Sequence, residues 1–240
     1  MACPGYFGFD IAEMKQTTFF ITGTDTGAGK TVLTALLTRY LRERGVPAAA
    51  LKPVCSGGRD DARRLCAASA GALVLDEVNP WHFRAPLAPL LAARRERKQV
   101  KLSTVLAYIR MMQKRFDFLL VEGAGGLLSS LGENFDSRDL IASLRATPII
   151  VCPNRLGAVN QARLTVEALP AGAAARARIV LVLPPAPDIA TWTNAGLLAE
   201  HFDGKRIFPM PWLSGPFDLK SAAKDPRVKR RLRALTQFTF

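Results

Sequence analysis

Short apolar, β-prone runs recur along the chain at 17–22, 48–51, 116–121, 147–152 and 179–183, with a weaker one at 206–208. Between them, at 32–41, 60–69, 102–115, 137–145, 158–169 and 189–201, apolar residues return every three or four positions. Continuous apolar runs mark strands covered on both faces, and strands alternating with helices make a mainly parallel sheet. The pattern therefore predicts an α/β fold, a mainly parallel sheet flanked by helices on both faces. Ligands of such a sheet gather beyond the carboxyl ends of its strands, so the residues after each apolar run come first as candidates.

After the first run stands Gly23 to Thr31, GTDTGAGKT, leading into a helix-like stretch. Glycines in such a loop let backbone N–H groups turn towards phosphate oxygens, and the helix start adds its positive dipole. Lys30 then reaches the terminal phosphates, and the Thr31 hydroxyl suits Mg²⁺. Five residues rather than the usual four separate Gly23 from Gly29. A chance glycine turn is the competing reading, but strand, loop and helix follow in the required order. The fold is thus expected to be P-loop NTPase-like, and the chain to bind a nucleoside triphosphate.

The other strand ends add charge. After the second run, Lys52-Pro53-Val54-Cys55-Ser56-Gly57-Gly58 brings an ammonium and a hydroxyl towards the same crevice. Alone, Lys52 would read as a surface lysine before a turn. Asp60 and Asp61 follow: either can serve Mg²⁺, and either can cap the helix beginning there. Glu122 projects from the third run into Gly123-Ala124-Gly125-Gly126, another carboxylate for a hard cation with small residues beside it. After the fourth, Asn154 to Asn160 opens a helix whose free N–H groups suit a carboxylate or phosphate. His82 and His201, the two histidines, lack ligand spacing, which leaves no support for zinc or for a Ser/His/Asp triad.

At 240 residues and 49% apolar the chain can build one sizeable core. One domain is expected from 17 to 240, with a basic C-terminal segment at 220–233 and a loose leader at 1–16. Cys3, Cys55, Cys66 and Cys152 are too dispersed for a disulfide framework. With no signal peptide or membrane-length run, reduced thiols in a cytoplasmic protein are expected. The net charge of +13 points towards nucleic acid only until it is located: Arg94 to Lys101 holds five basic residues against Glu96, and Lys220 to Arg233 seven against Asp225. Neither interleaves aromatics for base stacking, so solvated basic faces are expected and a nucleic-acid partner is not.

GTDTGAGKT, KPVCSGG, VEGAGG and NRLGAVNQARLT, in this order at these strand ends, together resemble the dethiobiotin synthetase family. The stretches at 78–83 and 211–213 also resemble it, and the five-residue loop spacing is the family's own. The resemblance, from about residue 17 to 215, implies an ATP- and Mg²⁺-dependent cyclo-ligase of biotin biosynthesis. It would add CO₂ to 7,8-diaminopelargonate and close a cyclic urea through a carbamate and a carbamic-phosphoric anhydride. It implies catalytic roles for Lys30 and Lys52, and Mg²⁺ held by Thr31, Asp61 and Glu122. Nucleotide contacts fall to Gly27, Ala28, Gly29, Lys30, Thr31, Val32, Asp61, Glu122, Gly123, Ala124, Gly125, Pro211, Trp212 and Leu213. Thr26 and Ser56 would meet the carbamate end of the substrate, and Gly157, Ala158, Val159 and Asn160 its carboxylate. That last contact comes from a neighbouring subunit, so a homodimer with shared sites is implied.

Three stretches depart from the family pattern. The segment from Ser56 to Asp61 is short, leaving Asp60 and Asp61 both open. The Asn-containing stretch that reads adenine is replaced by Leu183 to Asp188, and the basic C-terminal segment has no counterpart. A partition or septum-site nucleotide switch is the competing class. Its early loop lysine is absent from Thr24-Asp25-Thr26. A cobyrinic-acid amidating synthetase would need a glutamine-hydrolysing domain that 240 residues cannot hold.

Overall fold

A computed structural model describes residues 16–213 and 218–237. Six strands form one parallel sheet: β1 (Thr17–Gly23), β2 (Ala48–Leu51), β5 (Phe118–Glu122), β6 (Thr147–Pro153), β7 (Arg178–Val182) and β8 (Ile207–Met210), in the spatial order β2-β5-β1-β6-β7-β8. All five residues of β5 are buried, as are Phe19 to Ile21 of β1 and Ile149 to Cys152 of β6. Burial without alternation means that helices cover both faces, as the continuous apolar runs predict. Phe19 and Phe118 meet edge to face at 4.9 Å, adding about 0.5–1.5 kcal/mol beyond their burial.

The helices are α1 (Lys30–Arg42), α2 (Asp60–Ala68), α3 (Leu75–Val78), α4 (Pro89–Arg95), α5 (Leu102–Gln113), α6 (Ser137–Leu144), α7 (Ala158–Glu167), α8 (Ala171–Ala174), α9 (Ile189–Ala199), α10 (Leu219–Lys224) and α11 (Pro226–Thr236). The long periodic stretches lie within one or two residues of these. Sequence reading missed a parallel pair, β3 (Val54–Ser56) and β4 (Trp81–Phe83), because three residues carry no readable period. The basic C-terminal segment forms two helices, α10 and α11, the second beginning at Pro226 and capped by Asp225, which accepts from the Arg227 N–H. The leader expected at 1–16 lies, but for Gln16, outside the described residues.

Strand order creates the crevice. From β1 the chain runs outward to β2, returns through β5 to β1's flank, and leaves on the other side through β6, β7 and β8. The carboxyl ends of β2, β5 and β1 thus stand side by side, with Leu51 paired to Val121 and Ile21 to Glu122. Among the described residues no helix is long and apolar enough to cross a membrane.

Candidate active site

Gly27 and Gly29 hold φ of +75° and +97°, in the left-handed region where a side chain is strained. Gly29 stands at the start of α1, which has no side-chain cap and no acid in its first turn. Its free N–H groups are therefore open to an anion. Most other helices that follow the sheet strands are closed in that respect: Asp136 and Asp188 cap α6 and α9. The exception is α7, which also starts on a left-handed glycine, Gly157 at φ +89°, uncapped and without acid.

Lys52 is 5% exposed. Its ammonium donates to Glu122 Oε1 at 2.7 Å and Asp61 Oδ2 at 2.6 Å, while the Thr31 hydroxyl donates to the same Glu122 oxygen at 2.7 Å. The sequence brings the Lys52 ammonium towards the crevice; the fold also makes it the buried centre of a cluster, because β2 pairs with β5. Burial opposes its charge, but Glu122 and Asp61 outweigh burial and hold the ammonium above the ordinary lysine value. Lys30 donates to the Asp25 carbonyl at 2.8 Å, and burial pushes its ammonium down despite attraction from Glu122. Burial also tends to raise Asp61, yet the charge and hydrogen bond of Lys52, with Arg64 nearby, bring its carboxyl below the usual 3.8.

Asp60 turns away, pairing with Arg63 at 2.7 Å on the surface, and neither aspartate caps α2, whose capping position is Arg59. Glu122 Oε2 is buried with no hydrogen-bond partner among the described residues. An orphaned carboxylate oxygen beside a hydroxyl and a second carboxylate fits the all-oxygen ligand set that Mg²⁺ takes.

A cavity of about 670 Å³ opens above this cluster, within the range of small-molecule sites. Of the predicted residues, Thr26, Gly27, Gly29, Lys30, Thr31, Val32, Lys52, Ser56, Asp61, Ala124 and Gly125 line it. Ala28 is packed inward at 3% exposure. Gly123 lies under Ser137 and Phe20, where a Cβ would come within 2.8 Å of the serine hydroxyl. Gly157 to Asn160 and Pro211 to Leu213 lie outside the cavity's lining.

Sequence reasoning missed Cys55, Arg64, Ser129 and the wall from Pro86 to Pro89. Only the three-dimensional path reveals that wall: the Ser56 hydroxyl donates to the Leu87 carbonyl at 2.5 Å, and the His82 ring meets the Gly57 carbonyl at 2.7 Å. Burial pushes the Cys55 thiol up, so it lines the cavity as a neutral group rather than a nucleophile.

The state of Asp61 has a measurable consequence. A carboxylate whose folded value is depressed contributes stability above its unfolded value and loses it as pH falls. Urea midpoints of wild type and Asp61→Asn are expected to converge on acidification from about pH 5 to about pH 3. Parallel profiles would show that the Lys52–Asp61 contact does not form in solution.

Residues 17–215 match a family model described as an AAA domain. A curated ATP-dependent dethiobiotin synthetase BioD from Anaeromyxobacter dehalogenans (strain 2CP-C) is 38% identical over 90% of this chain and 94% of its own. Another from Anaeromyxobacter sp. (strain Fw109-5) is 44% identical over 68% of this chain and 74% of its own. The chain belongs to the ATP-dependent dethiobiotin synthetase family. It is thereby an ATP-dependent ligase with a role in biotin biosynthesis.

Among solved structures, a ParA family ATPase from Chlorobium tepidum superposes with a TM-score of 0.55 at 14% identity, covering 92% of this chain and 98% of its own. The MinC:MinD cell division complex of Aquifex aeolicus gives 0.53 at 12% identity, covering 91% and 93%. Such likeness shows the fold alone, so the nucleotide-switch reading gains nothing from it.

Proposed function

We propose that the chain converts 7,8-diaminopelargonate, CO₂ and ATP into dethiobiotin, ADP and phosphate in the 670 Å³ cavity. The observation that carries this is the convergence of Lys30 and Lys52 with Thr31, Asp61 and Glu122 beneath one phosphate-binding loop. One substrate amine adds CO₂ and loses a proton to give a carbamate. A carbamate oxygen attacks the γ-phosphorus and ADP leaves; the second amine then attacks the carbamoyl carbon, and phosphate leaves as the cyclic urea closes. Negative charge builds on carbamate and phosphoryl oxygens, which two fixed ammoniums and the α1 N–H groups can stabilise without reorganising.

Mg²⁺ would be held by Thr31, Asp61 and Glu122 and would neutralise charge on the triphosphate. Thr26 and Ser56 reach the carbamate from the cavity wall, and the apolar stretch from Pro86 to Pro89 suits the substrate's hydrocarbon chain. Incubation with diaminopelargonate, bicarbonate, Mg²⁺ and ATP should yield the cyclic urea by mass spectrometry. ATP hydrolysis without that product would favour a nucleotide switch.

The same reading makes the protein a homodimer, with the partner's α7 start receiving the substrate carboxylate. Three observations support it: the open N-terminus of α7, its position outside its own chain's cavity, and the apolar surface beside it. Leu156, Ile189 and Trp192 are 84%, 82% and 69% exposed, and Asn194 ties their two segments together through Asn154 and the Arg155 carbonyl. Large exposed apolar side chains on two linked segments suit an interaction site.

Base recognition falls to the ends of β7 and β8, which meet through the Leu183 N–H and the Met210 carbonyl at 2.9 Å. Pro184 to Pro187 offers few side-chain donors. A site that does not hydrogen-bond the base leaves no polar group unpaired when the base changes. CTP and GTP are therefore expected to support turnover within about tenfold of ATP in kcat/KM, or about 1.4 kcal/mol. A preference for ATP of about a thousandfold would assign base reading to backbone groups of Pro211 to Leu213.

A further inference from the structure

The parallel sheet has an opposite edge, where the strands begin, and a second cavity of about 390 Å³ lies there. Thr147 opens β6, Arg178 opens β7 and Arg206 immediately precedes β8; Arg176, Lys205 and Asp203 complete the polar lining. The seven residues of β6 separate this edge from the phosphate-loop edge by about 20 Å.

Four cations therefore face one carboxylate, and the guanidinium groups of the three arginines are held in place by backbone carbonyls. Arg178 is 5% exposed, with its guanidinium over the Phe19 ring at 4.7 Å and a hydrogen bond to the Leu235 carbonyl. Among the described residues it pairs with no carboxylate, and burial pushes it down to about 10. Arg206 is held by the Ala177 carbonyl at 2.8 Å and the Ala174 carbonyl at 2.5 Å, and Arg176 by the carbonyls of Gly172 and Ala146. Backbone carbonyls set the orientation of a guanidinium but do not cancel its charge. The one acid, Asp203, spends an oxygen on the Lys205 N–H at 2.9 Å.

Tying α11 to the sheet accounts for Arg178 alone. It leaves unexplained why Arg176, Lys205 and Arg206 converge on the same cavity. A buried positive charge without a counter-ion is costly, and forked guanidinium groups match phosphate oxygens in geometry. The volume exceeds what a single phosphate needs.

We propose that this cavity is a second anion site, remote from the active centre, that takes a small molecule carrying a diphosphate group. The probe is pyrophosphate, titrated calorimetrically into the full chain with Mg²⁺ in excess and a non-hydrolysable ATP analogue saturating the phosphate loop. One pyrophosphate per chain is expected, bound at least tenfold more tightly than orthophosphate or citrate. The double variant Arg176→Ala/Lys205→Ala, both exposed positions, should weaken it at least tenfold with unchanged melting temperature and unchanged affinity for the ATP analogue. Arg178→Met should do the same if it folds, but the double variant decides. Absence of pyrophosphate binding to the analogue-saturated wild type, equal affinity in the double variant, or citrate bound as tightly as pyrophosphate would each overturn the site.

Discussion

Lys52→Met is expected to lower product formation by about a thousandfold, equivalent to about 4 kcal/mol of barrier, because in the proposed reaction its ammonium stabilises the developing charge and methionine keeps only its stem. The same change removes the cation between Glu122 and Asp61, carboxylates that otherwise face each other across the cluster. Breaking a buried ion pair in this way costs about 3–5 kcal/mol of stability. Activity must therefore be measured below the variant's own melting temperature, with far-ultraviolet circular dichroism establishing that it is folded. A loss confined to kcat at unchanged ATP affinity would match a group acting on the transition state. Turnover near wild type in the folded variant would remove Lys52 from the chemistry.

Glu122→Gln is expected to shift the Mg²⁺ requirement rather than erase the nucleotide site. Its Oε1 already receives Thr31 and Lys52, and its Oε2 is the buried oxygen without a partner. A neutral amide is a poor ligand for a hard dication and cannot balance Lys52. Half-maximal Mg²⁺ should rise at least tenfold and kcat should fall by about a hundredfold or more, since charge compensation at the phosphates is lost. The control is ATP-analogue binding without Mg²⁺, which should change little. Superimposable Mg²⁺ titrations for variant and wild type would assign the orphaned oxygen some other purpose.

The sequence by itself determined whatever depends on near neighbours. The sheet strands announce themselves as unbroken apolar runs because both faces are buried. The phosphate loop is legible because a left-handed glycine must stand where Gly29 stands, directly before Lys30 and Thr31. Lys52, Asp61 and Glu122 could be singled out by their positions after strands, but their roles could not be apportioned. Asp60 and Asp61 are chemically identical neighbours, and only the helical turn of α2 sends one to Arg63 at the surface and the other to Lys52. The meeting of Lys52 with Glu122, 70 residues apart, exists because β2 and β5 are paired, a long-range choice that no local pattern encodes. The same holds for the wall from Pro86 to Pro89, closed by one hydrogen bond from Ser56, and for the basic cavity at the strand beginnings. Its arginines stand on separate segments, which are brought together only when β6, β7 and β8 align. Side-chain chemistry is written residue by residue, whereas the distances that turn it into a site arise from strand order and packing.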